Sequence, residues 1–191
     1  MRVFLDFEAS SLSRDSYPIE VGWVFEDGRT ASYLIKPAPE WTEWDEGAAK
    51  IHGISRDTLE REGAPHEAVA RAMVEALGGH ELFASAPSWD GKWLSLLLRA
   101  GGFTRHTLRL RDSDDLLLET ATELLRPVTG ADALAGAVDR VVRGVQDATG
   151  RPAHRALADA EEERRIWLDV RRVAGEEAER LRTAADDGAD R

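Results

Sequence analysis

Val3 to Phe7 is an apolar run interrupted by Asp6 and followed by Glu8, and Ile19, Val21, Trp23 and Phe25 recur at every second position. These are strand patterns, so Met1–Glu8 and Tyr17–Glu26 read as the first two strands. Asp27 and Gly28 tolerate the positive φ of a tight turn, which makes Arg29–Lys36 a third strand, antiparallel to the second. Pro37, Pro39, Trp41 and Trp44 then mark a loop, and Lys50–Ser55 a short turn. Helical spacing predicts helices over Glu67–Leu77, Gly91–Ala100, Asp114–Arg126, Ala131–Ala148 and Ala156–Leu181. Glycine pairs or a proline close the first three. Glu81–Ser85 and Thr107–Arg111 read as two more strands. The expectation is an α/β fold: a mixed five-stranded sheet, made of a three-stranded antiparallel meander plus parallel strands, flanked by helices. Residues 1–182 are expected to form one domain, with 183–191 (TAADDGADR) a frayed, disordered acidic tail.

Composition narrows the chemistry. The 191 residues are 42% apolar and 32% charged, which suits a globular core. There is no cysteine, so disulfides, zinc–thiolate sites and thiol nucleophiles are excluded. No apolar run approaches membrane-spanning length, and Asp6 and Glu8 interrupt any signal-peptide shape. A soluble cytoplasmic protein with no membrane partner is the expectation. The net charge of −11 argues against a broad electrostatic footprint on duplex nucleic acid. It leaves room for local contacts to a short or single-stranded end.

Asp6 and Glu8 stand two residues apart on a strand and therefore share a face. Two carboxylates that close repel, and burying them unpaired is costly. A divalent cation between them removes both problems, and oxygen-only ligands favour a hard ion such as Mg2+ or Mn2+. Asp90, before a helical pattern, reads by itself as an N-cap. His154 and Asp159 would diverge by about 140° on a continuous helix. They converge only if His154 precedes the helix, as Pro152 suggests. The acidic run Glu161–Glu163 reads as a solvated helix face.

Taken together, DFEASSL, IEVGWV, IHGIS, SWDGKWL and HRALADA resemble, in order, the motifs of the DEDDh 3′–5′ exonucleases, the proofreading-exonuclease and oligoribonuclease group of the ribonuclease H-like fold. The resemblance spans Arg2 to about Trp167. It implies four metal-ligating carboxylates, Asp6, Glu8, Asp90 and Asp159, holding two Mg2+ or Mn2+ ions, and His154 as general base. Such a pair of ions can clamp the attacking and leaving oxygens of an in-line phosphoryl displacement. A histidine with an ordinary pKa of about 6.5 can take the water's proton near neutral pH. The implied function is metal-dependent hydrolysis of phosphodiester bonds from the 3′ end of single-stranded RNA or DNA. An inert nucleic-acid-binding module on the same fold is the alternative.

The resemblance also implies that Ala9, Ser10, Ser11 and Leu12 hold the terminal nucleotide, with Leu12 wedged against its base, and that His52 and Trp93 line the same cleft. One departure is plain: Ser85 and Ala86 stand where the family commonly has His-Asn, which bears on substrate preference. Trp41 and Trp44 read either as stacking platforms for unpaired bases or as apolar pins of their loop. Arg99, Arg105, Arg109 and Arg111 form a basic run with no acidic residue, either a phosphate track or a charged strand edge.

Overall fold

A computed structural model describes residues 1–189, with side chains through Ala185. The chain divides into two compact units. One comprises Met1–Asp112 and Pro152–Glu163, and the other comprises Ser113–Arg151 and the residues from Arg164 on.

The first unit is built on a sheet of six strands: β1 (Arg2–Ala9), β2 (Pro18–Phe25), β3 (Thr30–Lys36), β4 (Ala64–Pro65), β5 (Glu81–Ala84) and β6 (Leu110–Asp112), in the order β4-β3-β2-β1-β5-β6. The first three make the expected antiparallel meander, and β5 and β6 continue it as parallel strands. The sixth strand is the addition: β4 is two residues long and pairs Ile35 with Ala64 and Lys36 with Pro65. Gly28 turns the β2–β3 hairpin at φ 96°.

Four helices accompany the sheet: α1 (Glu46–His52), α2 (Arg56–Glu62), α3 (His66–Leu77) and α4 (Pro87–Ala100). The first two differ from the expected turn over Lys50–Ser55. Asp45 caps α1 by accepting from the N–H groups of Gly47 and Ala48, and Gly53 ends it at φ 71°. Ser55 then caps α2 through the N–H of Thr58. Seven-residue helices carry too few periods to stand out in a sequence; their caps define them. In the segment before β6, the N–H of Thr107 bonds the carbonyl of Thr104, so that stretch is a turn and the strand is shorter than expected.

One face of the sheet carries Val3, Leu5, Phe7, Ile19, Val21, Trp23 and Phe25, packed with Val69, Met73 and Leu77 of α3 and Leu94, Leu97 and Leu98 of α4. All of β2 is buried, its other face included. The start of α7 (Ala156–Ala189) lies on that face. A Cβ at Gly22 would collide with the backbone of Ala156 and Leu157, so this strand needs glycine there for the helix to approach.

The second unit is helical: α5 (Ser113–Leu125), α6 (Ala131–Gln146) and the remainder of α7. Leu116, Leu117, Ala121, Val138, Val141, Val142, Trp167 and Val170 are among its buried residues, and the Trp167 indole N–H donates to Thr120 Oγ1 at 3.1 Å. The helix α7 continues to Ala189, through most of the 183–191 stretch expected to fray; Asp190 and Arg191 lie outside the described residues. Among the described residues no helix is long and apolar enough to cross a membrane.

Candidate active site

Strand β1 sends Val3, Leu5, Phe7 and Ala9 into the core and Phe4, Asp6 and Glu8 to the opposite face. Asp90 comes from the first turn of α4. The expectation of an N-cap does not hold: α4 begins three residues earlier at Pro87, its cap residue Ala86 offers no side-chain bond, and Asp90 is 1% exposed. Asp159 lies in the first turn of α7.

His154 precedes that helix, which is the condition for convergence. It adopts φ 56°, a left-handed conformation that costs a non-glycine residue about 1–2 kcal/mol. The N–H of Ala153 donates to Asp159 Oδ1 at 2.7 Å and ties the turn back onto the helix. One donor atom each from Glu8, His154 and Asp159 then lies within 4.8 Å of the other two.

The electrostatics identify which carboxylates meet. Asp6 is held well above the usual carboxylate range, first by burial and then by the charges of Asp90, Glu8, Asp159 and Glu163. Glu8 is pushed up to about 7 by burial, with Asp159 and Glu20 adding and Arg155 opposing. Asp90 is pushed up to about 7 by burial, with backbone N–H groups of Ala86 and Phe7 opposing and Glu163 adding. Asp90 Oδ2 is buried and has no hydrogen-bond partner. Converging carboxylates with an orphaned buried oxygen and an adjacent imidazole make a donor set that fits a hard divalent cation.

Four residues outside the expected set shape this site. Glu20, 2% exposed on β2, sits opposite Glu8 in the ladder. It accepts from Arg155 Nε at 3.1 Å, Arg155 Nη2 at 2.7 Å and the Ala156 N–H at 3.0 Å. The residue that follows His154 is thereby anchored to the strand beside β1. The only sequence signal was a charged residue on a strand otherwise apolar, in IEVGWV. Glu163, one turn beyond Asp159, acts on both Asp6 and Asp90, so the acidic run is not wholly a solvated face. Glu43 accepts from Ser10 Oγ at 2.7 Å and Ser11 Oγ at 2.6 Å. Burial raises its carboxyl, but bonds from Ser11, Ser10 and Ser13 outweigh that and hold it below the usual range. Nothing in the loop's pattern announced that pairing, which spans more than thirty residues.

The expected substrate residues separate into two groups. Ala9, Ser10 and Ser11 are buried, the serines fixed by Glu43, while Leu12 is 72% exposed just beyond them. His52 is buried; its Nδ1 accepts from the Ile54 N–H at 3.1 Å and its Nε2 is unpartnered. Burial lowers its pKa, and it lies within electrostatic reach of Glu20, Arg155 and His154. Trp93, by contrast, is 5% exposed and its indole N–H is taken by Ser16 Oγ at 3.0 Å. The more exposed ring is Trp89, stacked on it at 5.6 Å. Trp41 is a core pin stacked on Tyr17 at 5.6 Å, and Trp44 meets His52 edge-on at 6.4 Å.

No protein-family profile and no curated protein matches this sequence. Solved structures do. A zinc-bound E. coli exonuclease I in complex with single-stranded DNA is 17% identical, with a TM-score of 0.60, over 86% of this chain and 39% of that one. E. coli exonuclease I with a dT13 oligonucleotide is 17% identical (TM-score 0.61, 87% and 40%). Exonuclease I from Methylocaldum szegediense is 18% identical (TM-score 0.64, 90% and 40%). The chain thus spans about two fifths of the length of these proteins. The likeness establishes the fold: the α/β, ribonuclease H-like arrangement of the exonuclease I structures, as the sequence motifs implied.

Proposed function

We propose that this chain is a metal-dependent 3′–5′ exonuclease of the DEDDh type, hydrolysing phosphodiester bonds from the 3′ end of single-stranded nucleic acid. The observation that carries the reading is the convergence of Glu8, His154 and Asp159 within 4.8 Å beside the buried, mutually destabilised Asp6 and Asp90. Single-stranded DNA is the polymer in the exonuclease I complexes, which makes it the first substrate to test.

Asp6, Glu8, Asp90 and Asp159 would hold two divalent cations, Mg2+ or Mn2+. Held there, such cations would supply charge neutralisation for the scissile phosphate and for the entering and departing oxygens. The rest falls to the side chains. His154 takes the proton of the attacking water on the imidazole nitrogen that faces Glu8 and Asp159. His52 accepts at Nδ1, so its proton sits on Nε2, a buried donor within electrostatic reach of Glu20, Arg155 and His154. Leu12 presents an apolar surface to the terminal base from a loop that Glu43 holds rigid through two serines. The fixed loop spares ordering entropy when the strand binds.

The test is a 5′-labelled single-stranded oligonucleotide incubated with Mg2+ or Mn2+. A ladder shortening from the 3′ end, abolished by chelator, is expected. His154→Ala should lose turnover but keep divalent binding by calorimetry. An intact substrate under both metals, DNA and RNA alike, would leave the inert binding module as the better reading.

A further inference from the structure

The basic run Arg99–Arg111 is not one track. Arg111 is tied to Glu81 at 3.4 Å and lies over the Phe83 ring. Arg99 bonds the Ser95 carbonyl and lines a separate cavity with Lys92 and Glu43. Arg105, His106 and Arg109 do something different. With Leu94, Leu108 and Leu110 they line a cavity of about 370 Å³ between α4 and the turn that leads into β6.

This cavity has no carboxylate in its lining, in a chain whose net charge is −11. Among the described residues neither Arg105 nor Arg109 is paired with an acid, whereas Arg29, Arg61, Arg143, Arg165 and Arg172 all are. Arg105 spends its Nε–H on His106 Nε2 at 3.0 Å, which leaves the rest of its donor fork open. Exposed guanidiniums that are left uncompensated beside a partly exposed leucine match a ligand with a phosphate on one side and an apolar ring edge on the other. The volume falls in the range of about 300–1,000 Å³ usual for small-ligand pockets. Gly91, which also lines the cavity, directly follows Asp90 on α4. The cavity therefore abuts the helix that supplies a carboxylate to the active site.

We propose that this cavity binds a nucleotide of the single strand upstream of the 3′ end. Arg105 and Arg109 take its backbone phosphate, and Leu110, the least buried of the three leucines in the lining, meets its base. The inference rests on the single-stranded substrate proposed above. It adds that affinity should depend on strand length, because a strand must cross from the acidic pocket along α4 to reach the second site.

The 191-residue chain in chelator, where no cleavage occurs, is titrated into a long 5′-fluorescein oligothymidylate and into a labelled dinucleotide, and anisotropy is read. Arg105→Gln with Arg109→Gln should weaken the long strand about tenfold and lower the slope of log affinity against log salt by about 0.7, the value for one phosphate of a single strand. The dinucleotide should bind the variant and the parent alike. Both side chains are exposed, so unchanged melting curves are expected for the variant. Equal affinity of variant and parent for the long strand would overturn the proposal, as would an equal loss for the dinucleotide. Thymidine monophosphate that competes as well as the long strand on the parent but not on the variant would also overturn it, by assigning the cavity to free nucleotide. If the parent cleaves nothing yet shows the length-dependent loss, the exonuclease reading fails and this site stands. If it cleaves and the variant binds normally, the reverse holds.

Discussion

Glu20 and Asp90 are equally hidden, at 2% and 1% exposure, in the same compact unit, yet their surroundings are opposite. Glu20 receives three N–H bonds, two from Arg155 and one from Ala156. Asp90 keeps one oxygen without a partner and, like Asp6, is pushed up by burial and by other carboxylates. A buried charge is tolerated when it is paired and hydrogen-bonded, and otherwise it neutralises. Glu20 is a finished structural element, and its partners stiffen the turn that carries His154. The Asp6–Asp90 pocket is unfinished in the protein alone; it stores repulsion that a divalent cation would relieve.

The largest effect expected from that contrast comes from Asp6→Asn. Turnover should fall by about 10³-fold or more, measured on a labelled oligonucleotide. Melting temperature in chelator should stay the same or rise, because a like charge has been removed. A fall in both would place Asp6 with Glu20 rather than with Asp90. The paired side breaks differently. Arg155→Ala leaves Glu20 buried with only the Ala156 N–H and should cost about 2 kcal/mol, the buried-pair penalty discounted for the half-exposed guanidinium. Glu20→Gln leaves Arg155 free to reach water and should cost less in the same denaturant titration. Both should lower kcat more than they raise KM, since the turn they hold carries His154.

Gly22→Ala tests the same support by shape. Its methyl group must push the start of α7 off β2, at about 1–3 kcal/mol, with a drop in kcat that His154 substitution does not deepen. The remaining test, which needs no substitution, is a pH dependence without metal. Glu8 and Asp90 sit near 7 in the folded chain against 4.5 and 3.8 when unperturbed. The native state therefore holds more protons than the unfolded one between about pH 4 and 7, and stability falls as pH rises through that window. Melting temperature in chelator should be lower at pH 8 than at pH 5, and the gain on adding Mg2+ or Mn2+ should grow with pH. A flat profile would show that these carboxylates are as well satisfied as Glu20.

Much of the fold was legible because its signals are local. Alternation fixed the meander, Asp27 and Gly28 its turn, and the spacing of apolar residues α3, α5 and α6 to within about two residues at their ends. The short α1 and α2 were not legible, because one or two turns do not establish a period. The two-residue β4 exists only through its ladder to Ile35 and Lys36. In the site, five side chains could be named from ordered motifs. Asp90 shows the limit: its sequence context suited a cap, and only the helix starting at Pro87 puts it inside the first turn.

The sequence by itself nominated the candidate residues and the order in which they come, since spacing along one strand or one helix is a local property. The tertiary structure alone decided that Glu20 and Glu43 serve as anchors, that Trp93 is spent on Ser16, and that Glu163 faces the pocket. Each of these depends on which partner stands across a gap of many residues. A carboxylate's role follows from whether its neighbours donate to it or repel it, and neighbours exist only once the chain has folded.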